Sequence, residues 1–353
     1  MNLLFEVSNV LSHDKISTSI NENIELLIGQ IVLNRVSGIA YDKLDLNKLH
    51  PEAAKYLKAQ KEHNMIMCHS FLRNLEVLSH ILSSINVDYA LLKGAYLTPF
   101  LYKNGHRTSN DIDILVNSVD VSKTQELLLQ NGFLQGYLSS KSEIIPSSRR
   151  EIIEAKMNFG ETVPFLKQFD DSMLEVDINF SLDFKPSQDM QIVSQMLSST
   201  VYVENGPIRF KTLKFDDFLI HLCCHLYKEA TTYNWVLSRR DLMLYKFSDI
   251  NVFVYAHGVD NYFDTLVERI KYFRLEKECY YTLENASIIY PNLNKIEGFV
   301  EAKDAIRPPD LTFMTQIIWP REKKLFQHHL SFADWFFCPN RIAALEEIPY
   351  EAD

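Results

Sequence analysis

The sequence is poor in cysteine, glycine and basic residues. Its 353 residues include five cysteines, an odd number without a Cys-x-x-Cys pair, which argues against a disulfide scaffold and favours a reducing compartment. Ten glycines and 12 prolines are too few for a low-complexity chain. Lysine and arginine total 36 against 46 aspartates and glutamates, so the formal net charge is −10. Nucleic acid is therefore a disfavoured partner, because non-specific binding to it needs a basic surface.

Long apolar runs are also missing, although 46% of the residues are hydrophobic. No run approaches the roughly 18 apolar residues of a membrane-spanning helix. Residues 1–10 have neither the basic start nor the apolar stretch of a signal peptide. We therefore expect a cytoplasmic, globular protein with no membrane partner. The length suggests two or three domains, and the sequence carries no signal for an oligomeric state.

Residues 89–116 form the most informative stretch of the chain. Their pattern predicts a short strand, a tight turn, a short helix, a polar loop and a second strand. The turn falls at Lys93-Gly94, where glycine permits a sharp change of direction. The second strand is predicted over Asp111–Val116.

Two acids open this second strand on the same face. Side chains alternate along a strand, so Asp111 and Asp113 project to one side, where they repel each other unless a cation lies between them. A hard divalent cation with oxygen ligands would fill that role. The preceding turn places backbone N–H groups at a helix N-terminus, which favours phosphate, and Lys93 and Arg107 add positive charge. This combination predicts nucleotide chemistry.

A third acid lies on a later strand. Residues 162–169 and 173–182 predict two strands, and the side chains of the second alternate cleanly between polar and apolar. Glu175, Asp177 and Asn179 share one face of that strand. Such a face fits either a reactive site or a solvated edge strand, and the residues alone leave both interpretations open.

The segment LLKGAYLTPFLYKNGHRTSNDIDILV resembles the signature of the bacterial uncharacterised nucleotidyltransferase family, a branch of the polymerase-β-like superfamily. The core of that family reads approximately Leu-Lys-Gly, then a tyrosine, then Arg-x-x-x-Asp-Ile-Asp-Leu-Leu-Val. The superfamily's usual Gly-Ser pair after the first strand is replaced by Lys-Gly in this branch, so a serine hydroxyl is missing at that place. The resemblance covers roughly residues 20–300. The matching positions are Lys93, Gly94, Tyr102, Arg107, Asp111, Asp113, Leu115 and Val116.

The resemblance implies an α+β fold. A small mixed β-sheet nucleotidyltransferase core would be flanked by an N-terminal helical layer and a C-terminal helical domain. We assign residues 1–84 to the helical layer, 85–213 to the catalytic core and 214–353 to the C-terminal domain. Apolar residues at 3- and 4-residue intervals predict a long helix over residues 51–84 in the first part.

The resemblance also implies the reaction. A hydroxyl of the acceptor would attack the α-phosphorus of an NTP, pyrophosphate would leave, and an NMP, expected to be AMP, would remain on the acceptor. Asp111, Asp113 and Asp177 would bind two Mg²⁺ ions, with Mn²⁺ as a substitute, and Asp177 would accept the proton of the hydroxyl. The implied phosphate-binding residues are Lys93, Gly94, Ala95 and Arg107, and the additional site residues are Glu175, Ser109 and Asn179, the last standing where the family often has histidine.

The acceptor is left open by the sequence. A small-molecule hydroxyl suits the acidic chain, particularly if the acceptor is cationic, and a peptide or protein side chain fits equally. A tRNA end, as for a toxin-type nucleotidyltransferase, ranks lower because of the charge. A non-catalytic nucleotide-binding or regulatory protein on the same fold is the alternative of another class, and the presence of all three acids argues against it.

Three further regions carry weaker patterns. His221 and His225 have an i,i+4 spacing that can bind zinc, but no further ligand is identifiable, so we predict a core face or an acceptor pocket. The polar residues 141–154 predict a loop near the substrate. Residues 301–353 predict irregular helices and carry no chemistry that we can name.

Overall fold

The structure is a computed structural model with two compact units. The first, which we call the sheet unit, is Ser12–Phe218, and the second unit is Met1–Leu11 with Leu219–Asp353, so the division falls within one helix. The predicted three-part division stays a prediction. None of the described helices is both long and apolar enough to cross a membrane. The described residues are 2–12, 15–16, 23–140, 143–159, 161–169, 172–182, 186–259 and 262–350, without the side chains of 156–159 and 186–190.

The described residues form helices and a mixed sheet, which confirms the predicted α+β class. The helices are α1 (Leu3–Ser8), α2 (Ile24–Leu33), α3 (Ser37–Lys43), α4 (Pro51–Leu82), α5 (Gly94–Leu101), α6 (Val121–Gln130), α7 (Arg149–Phe159), α8 (Pro186–Leu197), α9 (Phe215–Ala230), α10 (Tyr233–Leu237), α11 (Leu244–His257), α12 (Tyr262–Phe273), α13 (Glu276–Ile289), α14 (Phe299–Ala305) and α15 (Phe332–Phe337). The strands are β1 (Tyr89–Leu91), β2 (Asp111–Val116), β3 (Leu134–Leu138), β4 (Ile144–Pro146), β5 (Phe165–Gln168), β6 (Met173–Asn179), β7 (Val201–Asn205), β8 (Ile208–Thr212), β9 (Gln316–Trp319), β10 (Lys324–Gln327) and β11 (Glu346–Ile348).

A six-stranded sheet forms the centre of the sheet unit, in the order β1-β2-β6-β5-β3-β4. Strands β2 and β6 are parallel neighbours, while the other adjacent pairs are antiparallel. The apolar side chains of β2 and β6, such as Ile112, Ile114 and Val176, lie in the buried core. Alternation then leaves the acids of both strands on the opposite face.

Helix α4 covers the apolar face of this sheet. It begins with Pro51 at its first position, where the missing N–H leaves no hydrogen bond unmade. Leu75, Leu78 and Leu82 recur at 3- and 4-residue intervals and lie in the same buried cluster as the sheet. Each such side chain contributes roughly 1.5–3 kcal/mol on full burial. The helix predicted over residues 51–84 is thus confirmed, and sheet contacts fix its orientation.

The loop predicted over residues 141–154 is wrong, because this region contains β4 and the start of α7. Helix α7 begins with a capping box, although the polar composition of this region suggested a loop. Ser148 Oγ accepts a hydrogen bond from the Glu151 N–H at 3.3 Å, and Glu151 Oε2 accepts one from the Ser148 N–H at 2.8 Å. Strand β4 then pairs with β3 at the edge of the sheet.

The prediction of irregular helices over residues 301–353 is wrong in part. Helices α14 and α15 are present, but β9, β10 and β11 form an antiparallel three-stranded sheet. Lys323, at φ 51°, closes the turn between β9 and β10. Trp319 stacks on Tyr233 with ring centroids 4.4 Å apart. The local sequence pattern does not predict this tertiary contact.

A buried histidine makes the second unit sensitive to acid. His328 stacks on Trp335 with ring centroids 4.0 Å apart, and burial lowers the pKa of His328 to about 4. In the unfolded chain a histidine titrates near 6.5, at about its ordinary pKa. The unfolded state therefore binds more protons between about pH 4 and pH 6.5, and stability falls as the pH drops through that window.

We expect His328→Gln to flatten this pH dependence. A single group contributes at most about 1.4 kcal/mol per pH unit to the free energy of unfolding. Denaturant unfolding at several pH values between about 4 and 7 measures the slope for the variant and the wild type. The control is His329→Gln, since this neighbouring histidine is exposed. If both variants flattened the pH dependence of stability equally, His328 would not be its source.

Candidate active site

Strands β2 and β6 bring four acids together on one face of the sheet. In the parallel register, Asp111 lies opposite Glu175 and Asp113 lies opposite Asp177. Residues paired across neighbouring strands project to the same side, so these four carboxylates form one group, which we call the acid face. The structure thus brings together the predicted metal-binding acids and the additional residue Glu175.

The acid face concentrates negative charge away from water. Burial, followed by the charge of Asp113, raises the pKa of the Asp111 carboxyl. Burial, followed by Asp113 and Asp111, raises the pKa of Asp177 well above its ordinary value. The Oδ1 atom of Asp177 is buried and has no hydrogen-bond partner among the described residues. A buried carboxylate oxygen without a donor is unfavourable unless something positive reaches it.

Asp113 is already held by two donors. Lys93 Nζ donates to Asp113 Oδ1 at 2.8 Å, and Asn179 Nδ2 donates to the same oxygen at 3.2 Å. Burial alone would lower the pKa of Lys93, but the nearby Asp113 and Asp111 outweigh it and raise the pKa to about 12. Lys93, which was predicted as a phosphate ligand, therefore places its positive charge against the acid face.

The Lys93-Gly94 turn has a strained backbone. Lys93 adopts φ 45° and ψ −116°, a conformation that side-chain-bearing residues rarely take. Such strain persists where the surroundings enforce it, and it is common at functional turns. Here the turn ends β1, starts α5 and aims the Lys93 side chain at Asp113.

Gly94 allows the loop before β2 to approach this turn. A Cβ atom at position 94 would lie 2.0 Å from Ser109 Oγ and 2.7 Å from Arg107 Nη1. Arg107 is buried, and its Nη1 donates to Ser109 Oγ and, at 3.4 Å, to Thr98 Oγ1. Ser109 therefore brings a hydroxyl beside the turn.

The two backbone amides predicted to bind phosphate differ in the structure. The Ala95 N–H donates to the Leu92 carbonyl at 3.0 Å, as part of the turn. The Gly94 N–H makes no hydrogen bond within the described part of the chain. Gly94 is thus the amide that α5 offers to an anion at its N-terminus.

The donor set fits a hard cation, although the side chains are not gathered around one point. Among the described residues, no three His, Cys, Asp or Glu side chains lie close enough to hold a metal ion together. Carboxylate oxygens are nevertheless the ligands that Mg²⁺ and Mn²⁺ prefer. A cation beside the unpartnered Asp177 Oδ1 would offset the missing hydrogen bond of that buried oxygen.

Sequence reasoning missed one acid near the site. Glu161 forms an isolated β-bridge with Asn179, and its charge contributes to the raised pKa of Asp177. No local pattern marks this residue, because a single bridged residue has no alternation to detect.

His221 and His225 lie in the second unit, one turn apart on α9 with ring centroids 6.5 Å apart. His225 Nε2 lies 3.5 Å from Glu229 Oε1, and Glu229 also pairs with Lys246. The pair therefore borders a buried ionic cluster. Its predicted role as a core face or an acceptor pocket stays a prediction.

Comparisons with known proteins identify a family model and a solved structure that the chain resembles. The family model described as "Uncharacterised nucleotidyltransferase" matches residues 21–291, which confirms the resemblance seen in the sequence. The chain is also similar to the crystal structure of an antigenic nucleotidyltransferase-like protein from Paracoccidioides brasiliensis, with 14% identity and a TM-score of 0.35. That similarity covers 65% of this chain and 90% of that chain. No curated protein sequence matches this chain.

Proposed function

The chain belongs to the uncharacterised nucleotidyltransferase family, and from this premise we propose that it transfers an NMP from an NTP to an acceptor hydroxyl. AMP is the expected group, pyrophosphate is the second product, and the acceptor is a small molecule or a peptide or protein. The observation that supports this reaction is the acid face, in which Asp113 lies in register with Asp177 beside the Lys93-Gly94 turn.

Divalent cations complete the proposed site. Asp111, Asp113 and Asp177 would hold two Mg²⁺ ions, or Mn²⁺ in their place. Ions bound there supply positive charge to the attacking and leaving oxygens of an in-line displacement. Each of the three side chains projects from a strand in the interior of the sheet, so its backbone is held on both sides. Hydrogen bonds from Lys93 and Asn179 also fix the orientation of Asp113.

Asp177 is the proposed acceptor of the hydroxyl proton. Its Oδ1 is buried without a hydrogen-bond donor, so it can receive a hydrogen bond from a substrate hydroxyl without breaking an internal one. Asn179, two residues along the same face, is an amide and cannot take up a proton in this way. The amide instead holds Asp113.

The NTP phosphates are proposed to bind at the start of α5. The Gly94 N–H and the helix N-terminus favour a phosphate oxygen there. Arg107 Nη1 lies beside the same turn and offers a planar set of donors to the β- and γ-phosphates. Ser109 and Lys93 border this phosphate site, and the hydrogen bond from Lys93 to Asp113 connects the site to the acid face.

Labelled nucleotides test the proposed reaction. Purified protein is incubated with each of the four α-labelled NTPs and Mg²⁺ or Mn²⁺, alone and with cell extract. We expect label to move onto an acceptor with one preferred NTP, and the transfer to disappear in Asp111→Asn. Binding without transfer in any extract would favour the non-catalytic nucleotide-binding alternative. Label recovered in tRNA would favour the toxin-type alternative.

A further inference from the structure

A hydrogen bond joins helix α3 to the loop that carries Arg107. Asp42 Oδ2 accepts a hydrogen bond from His106 Nε2 at 2.5 Å and another from Lys61 Nζ at 3.2 Å. His106 is buried, with 5% of its surface exposed, and Lys61 is buried on α4. One carboxylate therefore serves two buried donors, one on the loop and one on the long helix.

The same loop is held at two more consecutive residues. The Gly105 carbonyl accepts from Asn64 Nδ2 at 3.3 Å, and Asn104 Nδ2 lies 3.1 Å from His69 Nε2. A Cβ atom at Gly38 would come within 1.8 Å of the Gly105 carbonyl oxygen, so the backbones of α3 and the loop are in close contact. Residues 104–106 are thus fixed by α3 and α4.

Arg107 follows these anchored residues directly. Consecutive Cα atoms are about 3.8 Å apart, so the anchor at His106 restricts where the Arg107 backbone can lie. The Arg107 guanidinium then reaches the turn at Gly94 and contacts Ser109 and Thr98. A path of direct contacts therefore runs from Asp42 through His106 to the start of α5.

We propose that Asp42 is a positioning residue for nucleotide binding, which acts by holding His106 so that the Arg107 guanidinium stays at the N-terminus of α5. This inference rests on the proposed function, because it assumes that Arg107 binds the phosphates. A guanidinium that is oriented before the nucleotide arrives binds more tightly than one that must be ordered on binding.

The Asp42 contact also stabilises the sheet unit, so its effect on nucleotide binding has to be separated from its effect on folding. The Asp42 side chain is 38% exposed, whereas the side chains of its partners His106 and Lys61 are only 4% and 11% exposed. Loss of the Asp42 charge should therefore loosen the loop and also lower the stability of the sheet unit, because two buried donors lose their charged acceptor. The loosened loop should lower the affinity for nucleotide, and this loss of affinity should depend on Arg107.

A double-mutant cycle on NTP affinity separates the two roles. The dissociation constant of Mg-ATP, or of the NTP preferred in the transfer assay, is measured for the wild type, Asp42→Asn, Arg107→Ala and the double variant. We expect Asp42→Asn to weaken binding about tenfold and Arg107→Ala to weaken it by up to about 100-fold. The double variant should bind no more weakly than Arg107→Ala alone. His106→Gln serves the same cycle if Asp42→Asn does not fold.

Asp45→Asn is the matched control. Asp45 lies three residues after Asp42 and accepts a hydrogen bond from the nearby Asn47 N–H at 3.3 Å. Removal of the Asp45 charge should therefore leave the NTP affinity unchanged. Additive losses in the double variant would overturn the role of Asp42 while leaving the proposed function intact. A wild-type protein that binds no NTP, or an Arg107→Ala variant with unchanged affinity, would overturn the proposed phosphate site and this inference with it.

Discussion

Asp177→Asn is expected to abolish nucleotidyl transfer and to raise the melting temperature of the metal-free protein. Asp177 presents a buried carboxylate oxygen that has no hydrogen-bond donor, and Asp113, Asp111 and Glu175 add like charges around it. An amide of nearly the same shape removes that charge, so the folded state should become more stable. Each kcal/mol gained corresponds to roughly 2–4 °C for a unit of about 150–250 residues.

The loss of activity follows from the same carboxylate. Without Asp177 the proposed proton acceptor and one metal ligand are missing, and general-base catalysis alone contributes about 10²–10⁴-fold to a rate. Nucleotide binding should change far less, because Gly94 and Arg107 remain in place. Transfer assays, NTP affinity and thermal unfolding without divalent cations measure the three effects on one preparation.

Asp113→Asn is the informative comparison with Asp177→Asn, because Asp113 has an ion-pair partner and Asp177 Oδ1 has no hydrogen-bond partner among the described residues. Removing the Asp113 charge takes the counter-ion from Lys93, whose Nζ lies 2.8 Å from Asp113 Oδ1. Breaking a largely buried pair on one side is destabilising, so this variant should lose transfer without gaining stability. Equal gains in melting temperature for both variants would contradict the different roles assigned to the two acids.

The local part of this site could be predicted from the sequence. The alternation of a strand places Asp111 and Asp113 on one face, and it places Asp177 and Glu175 on another strand in the same way. Gly94 marks a turn because glycine is the residue that allows a close approach there. These inferences need only neighbouring residues, whereas the α+β class, which is observed, was implied by the family resemblance.

The remaining contacts depend on pairings over long sequence distances. Asn179 and Asp113 are 66 residues apart, and Asp42 and His106 are 64 apart, so no periodic pattern connects them. The register of β6 against β2 places Asp177 opposite Asp113, and a shift of one residue would have turned the acid to the other face. Apolar packing of Ile112 and Val176 in the core sets this register, and packing is not readable from one strand alone.

Gly94→Ala is expected to remove nucleotide binding almost completely. The new methyl group would lie 2.0 Å from Ser109 Oγ, 2.8 Å from Ser109 Cβ and 2.7 Å from Arg107 Nη1, all closer than atoms can pack. The loop before β2 must then move away from α5, and Arg107 moves with it. Loss of the Gly94 amide geometry and of the guanidinium together should weaken NTP affinity by more than about 100-fold, by analogy with the loss of two charge-assisted contacts.

A glycine elsewhere in the sheet unit separates this steric effect from a general one. Gly29 lies in α2, and a Cβ atom there would meet nothing within 4 Å. Gly29→Ala should therefore leave NTP affinity unchanged and stabilise the helix by roughly 0.5–1 kcal/mol. The double variant Gly94→Ala with Ser109→Gly should recover part of the affinity, because it removes two of the three nearest atoms, and the third, Arg107 Nη1, is the end of a long side chain. Normal affinity in Gly94→Ala alone would show that the loop tolerates displacement, and the close approach of Arg107 to the turn would then not be needed for nucleotide binding.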